Sequence, residues 1–103
     1  MVELVAPNTI TLGEPFLVAF RSDTRVAGRL RLTAGTEAIP FVLEREGKEP
    51  TKSAGHRVRG KEGSFRILDW GDHEVGSELV LRFEGAKVWM SVAGPGEGPQ
   101  AAE

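Results

Sequence analysis

The chain has 103 residues, a net charge of −2, a 40% apolar content and no Cys. That length builds one hydrophobic core and not two, the apolar and charged fractions are those of a globular domain, and the missing thiols exclude disulfides, thiol catalysis and cysteine-held zinc. Both charge signs are interspersed along the chain, so no electrostatic footprint for nucleic acid is expected, and no apolar run approaches the roughly 20 residues that cross a bilayer.

Strand signals repeat along the chain. "VELVA" (2–6) alternates weakly, and "PNTITLGEP" (7–15) carries Ile10 and Leu12 into a Gly-containing turn. "FLVAF" (16–20) places Phe16, Val18 and Phe20 on one face; "GRLRLT" (28–33) places Leu30 and Leu32 on one side, with Arg29 and Arg31 on the other. "AIPFVLE" (38–44) aligns Ile39, Phe41 and Leu43, and its Pro40 points to an edge strand. "SFRILDW" (64–70) aligns Phe65 with Ile67, "ELVLRFE" (78–84) aligns Leu79, Leu81 and Phe83, and "KVWMSVA" (87–93) aligns Val88, Met90 and Val92. A period of two is the strand signal. No window carries a helical apolar stripe.

Two tight hairpins are expected, at 33–38 and 83–88, each around a Gly. The polar segment 44–63 is long for a structureless loop. It reads either as a hairpin with "HRVR" as its return strand or as a mobile loop. The Gly/Pro-rich stretch 94–103 reads as a disordered tail or linker, which makes residues 1–93 the folded domain. Asn and Gln occur once each while charged residues make up 27%, a balance that fits a thermophile or a GC-rich genome. Glu3 and Pro7 interrupt what would be the apolar region of a secretory signal. A cytoplasmic or virion location is therefore the expectation.

The opening "APNTITLGEPFLVAF" (6–20) and the closing "ELVLRFEGAKVWMSVAG" (78–94) resemble the first strands and last hairpin of bacterial and phage immunoglobulin-like domains. The resemblance covers about a third of the chain. It implies an all-β fold, an immunoglobulin-like antiparallel β-sandwich of seven to eight strands. It carries no functional residues with it, and the Cys pair and corner Tyr of antibody-type domains are missing.

Candidate chemistry concentrates in "ILDWGDHEVG" (67–76). Asp69, Asp72 and Glu74 offer oxygen ligands and His73 a nitrogen, but the spacing matches no calcium loop, and the residues also suit a turn in which Asp bonds its own backbone and Gly takes positive φ. No metal and no cofactor is expected. Trp70 and Trp89 are out of phase with the apolar sets of their strands, so if those sets face the core both indoles point outward, joined there by Leu68 and Val80. Burial of these indoles under a loop, or against the far side of the sheet, is the alternative. Exposed, they would suit a protein interface or self-association around an apolar centre. With Asp69, Asp72 and His73 beside them, they would equally suit a carbohydrate site.

Arg57 and Arg59 alternate as a carboxylate or phosphate clamp would, although Glu49 and Glu62 offset them and a solvated charged hairpin is the plainer reading. No nucleophile elbow, phosphate loop or zinc-protease motif occurs. The expectation is a non-catalytic interaction or structural module, such as a phage virion decoration protein or a surface-assembly domain. It would bind protein, neither nucleic acid nor membrane interior. The alternatives are carbohydrate binding through Trp70 and Trp89, and a small metal-dependent enzyme.

Overall fold

In the computed structural model, which describes residues 1–96, every regular element is a β-strand. The nine strands are β1 (Val2–Val5), β2 (Thr9–Thr11), β3 (Phe16–Ala34), β4 (Glu37–Ala38), β5 (Phe41–Glu44), β6 (Thr51–Ser53), β7 (Gly55–Ile67), β8 (Glu78–Phe83) and β9 (Ala86–Ala93). They form one curled, mixed sheet with the path β2-β9-β8-β3-β7-β5-β6, and β1 and β4 both pair with β3. The pairing is antiparallel except that β2 runs parallel to β9, so the expected wholly antiparallel arrangement of seven to eight strands is corrected on both points. Among the described residues no helix is long and apolar enough to cross a membrane.

Strand β3 explains how a single sheet encloses a core. "FLVAF" and "GRLRLT" are two segments of this one strand of 19 residues rather than two strands. It pairs with β7 from Phe16↔Ile67 to Arg21↔Glu62 and again from Val26↔Gly60 to Arg31↔Gly55. Between these stretches residues 22–25 of β3 are set against the single β7 residue Lys61, while Ser22 pairs with Val2 of β1 and its hydroxyl accepts the Thr24 N–H at 3.3 Å. Such a bulge bends the strand and increases its twist. Beyond it, β3 also pairs with β8 through Arg31↔Arg82, Leu32↔Leu81 and Thr33↔Val80.

The alternation then fills the concave side. Phe16, Val18, Phe20, Leu30, Leu32, Phe41, Leu43, Ile67, Leu79, Leu81, Phe83, Met90 and Val92 are all buried in one cluster. His56 is buried with them; its Nε2–H donates to the Phe41 carbonyl at 2.8 Å and its ring lies 4.5 Å from the Phe41 ring. The polar segment 44–63 is not the expected hairpin with "HRVR" as its return strand: β5 turns back through the short β6, from Phe41↔Ser53 to Leu43↔Thr51, and "HRVR" belongs to the first half of β7, which pairs with β3. Both expected hairpins form, as Thr33↔Ala38 and Ala34↔Glu37, and as Phe83↔Ala86. In the second, Glu84 and Gly85 both have positive φ (47° and 84°), the combination a two-residue turn needs to match strand twist. The tail expected at 94–103 lies, from residue 97 onward, outside the described residues.

Candidate functional site

The stretch 67–76 forms a turn with a Trp under it. Strand β7 ends at Ile67, and the period of two ends with it: Ile67 and Trp70, three residues apart, are both buried. The outward phase expected for Trp70 is thereby corrected. The indole is 2% exposed, meets Phe16 edge-on at 6.0 Å, and its Nε1–H donates to the Glu14 carbonyl at 3.1 Å. The His73 ring stacks on it at 5.6 Å and holds its place by donating from Nε2 to the Trp70 carbonyl at 2.8 Å. Asp69 Oδ1 accepts the Gly71 N–H at 3.1 Å, and Gly71 takes a φ of 84°, as a turn of this type requires. Asp72 and Glu74 are exposed on the same loop. Among the described residues no three His, Asp or Glu side chains are grouped so as to hold an ion.

The expected outward cluster is assembled only in part: Val80 and Trp89 share the outward face as cross-strand partners, and Trp70 and Leu68 do not join them. Trp89 is 52% exposed, but Trp70 is core, Leu68 is half-buried, and Val80 is 8% exposed between Thr33 and Trp89 in its cross-strand row.

A different group of side chains comes together on the convex side. Residues that pair across strands share a face. On β3 the odd positions Arg29 and Arg31 point outward, because Leu30 and Leu32 point in. Across the ladder Arg29 faces Arg57, and Ala27 faces Arg59. On the other side of β3, Arg31 faces Arg82, and Arg82 in turn faces Lys87 of β9. Arg29, Arg31, Arg57, Arg59, Arg82 and Lys87 thus occupy one continuous surface spanning β7, β3, β8 and β9. These are six of the chain's thirteen Lys and Arg, so the net charge of −2 conceals a polarised distribution.

Little on this surface neutralises them. Among the described residues none of the six makes an ion pair. Two grooves open between them, of about 500 and 240 Å³, and among the described residues Glu84 is the one carboxylate that lines them. Its side chain lies over the backbone of Gly28, filling the space a Cβ would need. Arg82 is half-buried, and its Nε–H donates to Thr33 Oγ1 at 3.0 Å, which fixes it beside the Thr33–Val80–Trp89 row.

The other half of the same convex surface is built differently. There Arg21 stands between Glu3 and Glu62, and Arg66 reaches Glu44 at 3.9 Å. Charges alternate where β1 joins the sheet, whereas around β8 and β9 cations outnumber the two carboxylates, Glu78 at the start of β8 and Glu84 in the β8–β9 turn. No protein-family model matches the chain and no curated protein matches it, so geometry and chemistry carry the functional reading.

The sequence contains the strand-level signal for this surface, Arg29/Arg31 and Arg57/Arg59 alternating with apolar partners. It does not contain the register that puts Arg29 against Arg57, since that pairing joins residues 28 positions apart. Glu49 and Glu62, which offset these arginines along the chain, lie away from them: Glu62 pairs with Arg21, and Glu49 belongs to the turn after β5.

Proposed function

We propose that this domain is a non-catalytic binding module that holds an anionic partner on the convex surface of β7, β3, β8 and β9. The observation that carries the proposal is the direct opposition of like charges, Arg29 to Arg57 and Arg31 to Arg82. Like charges facing one another across a ladder destabilise a sheet. A bound anion relieves that repulsion, so the arrangement favours the complex over the free protein. Arginine suits the task, since its planar fork pairs bidentately with carboxylate or phosphate.

The role expected from sequence, an interaction module without catalysis, is kept in this proposal; the docking surface moves from the Trp70 loop to the arginine rows. An immunoglobulin-like ancestry is part of the same reading. It is supported by the pairing of β1 with β3, β3 with β7 and β7 with β5, which follows the ABED order of such domains, and by the succession β3-β8-β9, which follows CFG. In that comparison β3 supplies both B and C without a break, which makes the fold a curled variant rather than two facing sheets.

Chromatography on immobilised heparin at low ionic strength tests the binding role. A chain of net charge −2 without a cationic face passes through; this one is expected to be retained, to elute with salt, and to lose retention when Arg29 and Arg57 are both replaced by Glu. Flow-through of the unaltered protein would overturn the proposal.

A further inference from the structure

Building on that anion-binding reading, we infer that the partner is a single-stranded nucleic acid, its phosphates on the arginine rows and a base stacked on Trp89. Three features select this partner among polyanions.

The first is the make-up of the surface. Five of the six cations are Arg, and they form a grid: about 6.6 Å between alternate residues along a strand and about 4.8 Å between strands. A flexible single strand can fit its phosphates to such a grid. The second is shape. Four strands make a surface about 14 Å wide, broader than the roughly 12 Å major groove that a recognition element must enter. A duplex would meet it only along its phosphate ridges. The third is Trp89. It is a large apolar ring left half in solvent, two residues from Lys87 on the same face, in the row that Arg82 is bonded to through Thr33. Single-strand binding surfaces pair a basic groove with aromatic rings on which bases stack regardless of sequence. Heparin and other sulfated chains have no base to offer such a ring.

The chain supplies its own reporter. Of its two indoles, Trp70 is 2% exposed and Trp89 52%, so quenching by an added base reports on Trp89. The experiment is a fluorescence titration of the full chain with a deoxythymidine oligonucleotide about a dozen nucleotides long, within the usual site sizes. Heparin, a duplex of equal length and phosphatidylserine vesicles are titrated in parallel. Expected are quenching by the oligonucleotide and tighter binding of it than of the duplex. With about five phosphates engaged, at roughly −0.7 in log–log slope for each, affinity should fall about a hundredfold between 50 and 200 mM salt. Trp89→Leu should abolish the quenching and weaken oligonucleotide binding at least about fivefold, while heparin binding stays unchanged. Arg57→Glu should weaken both, with far-UV circular dichroism confirming the same β fold.

If heparin and the oligonucleotide bind alike and Trp89→Leu changes neither, the nucleic-acid inference falls and the anion-binding proposal stands. Preference for the duplex or for the vesicles overturns the inference in the same way. If nothing anionic binds, both fall.

Discussion

Replacing Arg57 by Glu should make the protein more stable, an outcome unusual for a point substitution and specific to the register described above. Arg57 faces Arg29 directly, with Arg59 two residues along β7 and Arg31 two residues along β3. Two outward guanidinium charges about 6.5 Å apart at the dielectric of water repel by about 0.6 kcal/mol, and ions at physiological strength remove roughly half of that. Reversing one sign converts the repulsion into an attraction of similar size. With the diagonal neighbours included, the swing is about 0.5–1 kcal/mol, inside the range measured for cross-strand charge pairs. Glu is a poorer strand residue, which offsets a few tenths. A net gain of about 0.5 kcal/mol raises Tm by roughly 2–4 °C in a domain of this size. Scanning calorimetry at low salt reads this directly, and in 1 M salt, where the Debye length is about 3 Å, the difference should vanish. An unchanged or lowered Tm at low salt, or a gain that persists at 1 M, would refute the opposition of Arg29 and Arg57.

Other consequences follow from the core and the turns. Trp70→Ala should lower unfolding free energy in urea by about 3–5 kcal/mol, since it empties the space between Phe16 and His73; a loss under about 1 kcal/mol would place the indole at the surface. His56→Leu should cost about 1–3 kcal/mol by stranding the buried Phe41 carbonyl, and a variant as stable as the parent would contradict that bond. Limited trypsin digestion should cut first at Lys48, in the exposed turn after β5, and before Arg57 or Arg59, whose backbones are paired with β3; first cleavage within 55–61 would contradict the β7 ladder. Added calcium should leave Tm unchanged, because Asp69 serves its own turn; a rise abolished by Asp72→Ala would require a different account of that loop.

Alternation alone makes the core legible in the sequence. The inward sets on 16–20, 28–33, 78–84 and 87–93 are the residues that pack together, because a half-buried strand leaves its burial pattern in its sequence. Parity failed at Trp70 because it holds only while the backbone stays extended, and β7 stops three residues earlier. Strand count and direction were less legible. Nothing local in "RSDTRVAG" distinguishes a turn from a bulge, and the parallel β2–β9 pair joins residues 82 apart. The arginine surface was hidden for a related reason. Averaged along the chain its charges are balanced by glutamates, and only the register separates them in space.

The two indole N–H groups allow the most direct test of where an anionic partner sits. In a nitrogen–proton correlation spectrum titrated with a short oligodeoxythymidine, the Trp89 Nε1–H and the backbone amides of residues 27–33, 57–59 and 80–89 should shift. The Trp70 Nε1–H, buried and donated to the Glu14 carbonyl, should stay fixed, as should the amides around Glu3, Arg21 and Glu62 on the charge-balanced half. Shifts centred on Glu3, Arg21 and Glu62, or none near Trp89 and the arginine rows, would contradict the assignment of that surface.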